Sequence, residues 1–228
     1  MRGEHFTRAM KSTFNVRFAV AALAFITVFI GSVFLVELAI PFLQFQPNVD
    51  FLQSKRLIYH LDWWRWSFYI HVFSSPIVIF AGLFQFNRLT IHRFPKFHRI
   101  CGYIYILVLL LIACPSGFLL GLYANGSYPT QVSFTLLSVF WFATTIIAFK
   151  RAKSGMFESH AKWMIRSYAL TLSAISLRAF TFLLAYFKIE LYPPDSYILV
   201  SYASWIINLI VAEVLIYLNY AGFLLRKA

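Results

Sequence analysis

The chain alternates between long apolar stretches and short, mostly basic interruptions. Six apolar stretches stand out, at about 18–43, 66–86, 100–123, 132–149, 163–187 and 197–225. Each is close to the ~20 residues a helix needs to cross a ~30 Å hydrocarbon layer. The interruptions are too short to hold a soluble domain. The pattern predicts an all-α polytopic membrane bundle of about six transmembrane helices, with a tail at 1–17 and one membrane domain at 18–225. The first stretch exceeds the h-region of a signal peptide and has no small-residue cleavage site at its far end. It is expected to be a retained helix.

Composition agrees with the pattern. Hydrophobic residues make up 61% of the chain and charged residues 12%, where a soluble domain keeps about a quarter of its residues charged. The net charge of +12 would suit nucleic acid if it formed a patch, but its distribution points elsewhere. Arg2, Arg8, Lys11, Arg17, Arg88, Arg93, Lys96, Arg99, Lys150, Arg151, Lys153, Lys162, Arg166, Arg226 and Lys227 fall on one side of the expected membrane. Only Lys55, Arg56, Arg65 and Lys188 fall on the other. By the positive-inside rule, both termini are expected to be cytoplasmic, in a cell (inner) membrane whose anionic headgroups attract the basic side. Segments 44–62, 125–129 and 188–195 are expected outside, near a belt of Trp and Tyr residues. Cys101 and Cys114 lie on one helix ~20 Å apart, too far for a disulfide.

Pro76 and Pro115 fall inside the second and third helices, and Gly117 and Gly121 form a GxxxG pair suited to close helix contact. A short internal repeat is more suggestive. Phe86-Asn87-Arg88 leads to His98, and Phe149-Lys150-Arg151 leads to His160, each His falling where the following helix begins.

His98 and His160 therefore occupy the same membrane edge on separate helices, as axial ligation of a b-type haem in a bundle requires. Gly102, one turn from His98, would leave room beside the imidazole. Arg99 and Arg166, with Arg93, Lys96 and Lys162, would stand near propionates. The alternative for both histidines is a polar residue at its preferred interfacial depth. Arg178 lies deep in the fifth helix, where charge is rare and usually paired or functional. Glu37 is its expected partner, with Glu213 fitting less well. His71 reads either as a hydrogen-bonding core residue or as a lone ligand. His5, His60 and His92 are expected in solvated loops or the tail.

The residues His98-Arg99-x-x-Gly102-x-x-Tyr105, Ser116-Gly117, Trp141 with Thr144-Thr145, and His160-x-x-Trp163-Met164-x-Arg166-Ser167-Tyr168-Ala169-Leu170-Thr171 with Arg178 resemble domain of unknown function family 2306, a family of prokaryotic membrane proteins. His71, Gly82-x-x-Gln85-Phe86 and Glu213 fit the same pattern, and the resemblance covers about 65–220. It implies a membrane fold and no particular activity. The layout is similar, more loosely, to cytochrome b561-like di-haem proteins, in which histidines on four successive helices hold two haems. The fourth helix here has no His, so at most one haem is implied.

The function expected is b-type haem-linked or quinone-linked electron transfer through a bis-histidine site. Two rivals remain: a small-molecule or ion transporter whose polar route is lined by His71, Arg178, Glu37 and Glu213, and a non-catalytic membrane accessory protein.

Overall fold

A computed structural model describes residues 22–226. The 1–17 tail, the start of the first helix, His5, Arg2, Arg8, Lys11, Arg17 and Lys227 lie outside the described residues. Among those described, the secondary structure is helical throughout. Five helices are long and apolar enough to cross a membrane: α1 (Ala22–Gln44), α2 (Asp62–Phe86), α3 (Pro95–Leu122), α4 (Tyr128–Lys153) and α7 (Pro194–Tyr217). A bent pair, α5 (Phe157–Thr171) and α6 (Ser173–Tyr186), supplies the sixth crossing. Single-turn helices at Asp50–Gln53 and Arg56–Tyr59 fill the longest connection. A last short helix, α8 (Tyr220–Leu225), follows α7. The chain is thus an integral membrane protein of helical, multi-pass architecture.

Several helices start ahead of their apolar stretch. α2 opens at Asp62 rather than 66, because Asp62, Trp63, Trp64 and Arg65 form its first turn, with Arg65 and Asp62 ion-paired. α3 opens at Pro95, whose missing N–H costs nothing at a first helical position.

Alternate ends of the helices define two ends of the bundle. One carries Arg88, Arg93, Lys96, Arg99, Lys150, Arg151, Lys153, Lys162 and Arg226 and is called here the basic end. The other carries Phe42, Phe45, Trp63, Trp64, Trp66, Phe68, Tyr69 and Tyr123, each with its ring centroid about 4.6–6.4 Å from that of another of the set, and is called the aromatic end. Lys55 is buried there and its ammonium donates to the Tyr123 carbonyl. Burial pushes this amine down to about 8.

The core lies between α2, α3, α4 and α5, around Val78, Tyr105, Leu109, Ala113, Ala148 and Leu170. Two irregularities shape it. α3 widens into a π-helical turn at Leu109–Ala113, just before Pro115. The α5–α6 break bends by 41° with neither proline nor glycine at the joint. Asn208 of α7 explains it: its amide donates to the Ala169 carbonyl at 3.0 Å and its oxygen accepts from Ser176 Oγ at 2.9 Å. A side chain inserted into the carbonyl ladder is a recognised cause of a kink. The two glycines of the GxxxG pair serve different neighbours. A Cβ at Gly117 would stand 2.7 Å from the His71 ring, and one at Gly121 would stand 3.1 Å from the Thr135 backbone of α4.

Candidate functional site

His98 and His160 are each the fourth residue of their helix, α3 and α5. Both helices begin after a compact connection at the basic end. Between α4 and α5 the turn is closed by Gly155 at φ 71°, a left-handed backbone that glycine adopts without cost. The resulting antiparallel hairpin brings the last turns of α4 beside the first turn of α5. His160 Nδ1 donates to the Ala148 carbonyl of α4 at 2.9 Å. That bond fixes the tautomer, so Nε2 of the neutral ring carries a lone pair.

His98 is held differently. Its backbone carbonyl accepts from Gln85 Nε2 of α2 at 3.2 Å, while its Nδ1 is buried with no hydrogen-bond partner. A buried, unpaired polar atom costs ~1–3 kcal/mol, which is uncommon unless something else satisfies it. The two imidazoles lie near enough to interact electrostatically. His98 and His160 thus stand at the same end of the bundle, within electrostatic range of each other, with Nε2 of one ring left free by its tautomer and Nδ1 of the other unsatisfied.

The neighbouring candidates divide. Arg99 is exposed at this end, as are Arg93 and Lys96. Arg166 is already engaged: Nε and Nη2 clasp the two Glu213 oxygens of α7 at 2.6 and 2.9 Å, and the guanidinium lies 4.7 Å over the Trp163 ring. Lys162 pairs with Glu158 at 2.7 Å. Arg166 thus belongs to an α5–α7 clasp. The space beside Gly102 is also taken, since a Cβ there would stand 3.2 Å from Gln85 Oε1. Gly102 lets the buried Gln85 side chain pass between α2 and α3, which corrects its expected role as clearance for a flat cofactor.

At the aromatic end His71 donates through Nδ1 to the Ala113 carbonyl at 2.9 Å, within the π-helical turn of α3. Arg178 of α6 lies in electrostatic range of His71 and Tyr197. Its guanidinium donates to Ala174 O of its own helix at 2.8 Å, and among the described residues no carboxylate pairs with it. The expected Glu37–Arg178 pair is not formed. On α1 the buried positions are Ser32, Leu35 and Ala39. At 100° per residue Glu37 stands on the opposite face, exposed. Glu213 is taken by Arg166, so His71, Arg178, Glu37 and Glu213 do not line one route. His92 is exposed, as expected of a connecting segment; its Nε2 also donates to Leu224 O at 3.0 Å and, with Arg88 bonded to Arg226 O at 2.7 Å, it holds α8.

Midway along the bundle is a hydroxyl cluster to which the sequence assigned no chemistry. Tyr105 OH meets Ser167 Oγ and Thr171 Oγ1, each at 2.7 Å; Thr145 Oγ1 meets Ser167 Oγ at 2.6 Å; Trp141 Nε1 donates to Thr171 Oγ1 at 2.9 Å. All five residues are buried. Beside them the Tyr168 ring covers Gly82 and its hydroxyl donates to Ile79 O at 3.1 Å.

These residues coincide with the stretch over which the chain is related to known sequences. The family model described as "Predicted membrane protein (DUF2306)" matches residues 68–216. The chain belongs to this family. No curated protein and no solved structure matches it. The matched region spans both histidines of the basic end, the hydroxyl cluster, His71, Arg178 and the Arg166–Glu213 clasp, and it leaves α1 outside.

Proposed function

We propose that the chain is a membrane electron-transfer protein that holds one b-type haem between His98 and His160. The observation that carries this reading is two imidazoles at the start of separate helices at one end of the bundle and in electrostatic range, one with its tautomer fixed by Ala148 and the other with a buried, unpaired nitrogen. Among the described residues no three His, Cys, Asp or Glu side chains are grouped for a metal ion. A bare cation would therefore find too few ligands. A porphyrin brings four nitrogens of its own and asks the protein for two, which is the number this site offers. Bound haem would supply a one-electron couple.

The remaining residues have separable tasks. Ala148 orients His160, as carbonyl partners do for ligating imidazoles. Gln85 ties the α2 end to the first turn of α3 and so steadies the backbone that carries His98. Arg99, with Arg93 and Lys96, offers exposed positive charge for propionates, and Arg166 supports the site through Glu213 rather than by direct contact. A quinone is the redox partner suited to a centre at the membrane edge. The concentration of Lys and Arg at this end favours a cytoplasmic orientation for it in a cell membrane.

A visible absorption spectrum of gently solubilised protein, oxidised and reduced, tests the reading. A Soret band with reduced α and β bands, lost in His98→Ala and in His160→Ala, is the expected result. No band after reconstitution with haem, or an unchanged spectrum in the double alanine variant, would overturn it.

A further inference from the structure

We infer that α1 and α6 form the contact surface for a second copy of this chain, joined by reciprocal ion pairs between Glu37 of one copy and Arg178 of the other. The two charges lie at similar depth. A Cβ at Gly31 would stand 2.8 Å from the Ile175 side chain, which sets α1 against α6 at that level. Both helices run from the basic end to the aromatic end. Six residues beyond Gly31 is Glu37, and three beyond Ile175 is Arg178, a difference of ~4.5 Å at 1.5 Å per residue. Two long side chains span that easily.

Neither charge is satisfied within its own chain. Glu37 lies about seven residues, or ~10 Å, short of the end of α1 and makes no ion pair or hydrogen bond among the described residues. It points away from the face of α1 that Ser32, Leu35 and Ala39 bury. The Arg178 guanidinium has one acceptor, the Ala174 carbonyl, for its five N–H groups. An ionised side chain at membrane depth normally finds a partner. Exposed apolar residues on α1 and α6, such as Phe34 and Phe182, say nothing by themselves, since lipid covers them equally well. The unsatisfied charges of opposite sign, level with one another on adjacent helices, are what select a second copy. In a two-fold pair each α1 can lie against the partner's α6, and both ion pairs form at once, as an isologous interface requires.

Two differently tagged full-length copies, co-expressed and purified in lipid nanodiscs or mild detergent, give the test. Wild-type copies should co-purify. Two copies of Glu37→Arg, or two of Arg178→Glu, should lose co-purification by about tenfold, the response to a loss of 1.4 kcal/mol. A Glu37→Arg copy co-expressed with an Arg178→Glu copy should recover it, because one pair is then re-formed with reversed sign and the other keeps its native residues. Should either variant fail to fold, Leu38→Cys in one copy and Thr181→Cys in the other keep the charges intact and should cross-link in native membranes. Monomeric wild type, no recovery in the mixed pair, or no cross-link between the cysteine copies would overturn the interface.

Discussion

The hydroxyl cluster at mid-bundle and the histidine pair at the basic end are both polar groups set in an apolar bundle, yet they are finished differently. Tyr105, Thr145, Ser167, Thr171 and Trp141 are all hydrogen-bonded, to one another and to the Trp141 and Ser167 carbonyls. His98 and His160 are left open, since one ring has an unpaired buried nitrogen and the other offers a lone pair. A closed network has spent its hydrogen-bonding capacity on holding α3, α4 and α5 together. An open one retains capacity for something outside the chain. The first is architecture and the second is the site proposed above, although both fall within the same family region.

Substitutions can break this contrast. The largest expected effect is at Tyr105, fully buried at the centre of the closed network. Tyr105→Ala removes a large core ring and should destabilise by ~3–5 kcal/mol, read as a sharply lower thermal unfolding midpoint in detergent. Tyr105→Phe and Thr171→Val each remove hydroxyl bonds and should cost ~0.5–2 kcal/mol. Their double variant should show non-additivity, and strict additivity would mean that the cluster is not one unit.

The histidines should behave the opposite way in the haem-free protein. His160→Ala breaks one bond, to Ala148, and should cost ~0.5–1.5 kcal/mol. His98→Ala removes an unsatisfied atom and should cost less than Tyr105→Ala by a wide margin. If His98→Ala proved as damaging as Tyr105→Ala, the contrast between site and architecture would collapse.

The smallest effect concerns Lys55, whose amine is lowered by burial from 10.5 to about 8. Between these values the unfolded chain binds more protons than the folded one, so stability should rise with pH through that window. A thermal midpoint that climbs modestly from pH 8 to 10 in wild type, and not in Lys55→Met, is the expected pattern.

The sequence made the spans legible because apolar length is a local property. It also made the positions of His98 and His160 at helix starts legible, because each follows a basic connection at a similar interval. Rotation and neighbour choice were not legible. Depth alone made Glu37 the natural partner of Arg178, but the buried stripe of α1 turns Glu37 away, and Glu213 belongs to Arg166. Gln85 stood in a quoted motif without a role, because its role depends on Gly102 of another helix. The break at α5–α6 had no local signal either, since its cause is Asn208 on α7.

That break also sets how far the fifth crossing reaches. With 15 and 14 residues on either side of the joint, a straight helix would run roughly 45 Å at 1.5 Å per residue. Bent by 41°, its reach along the first half falls to roughly 40 Å, close to the ~39 Å of the 26-residue α4 beside it. The bend thus brings the axial reach of an otherwise longer crossing to that of α4 beside it, and bending joins tilt as a way to accommodate a long helix pair.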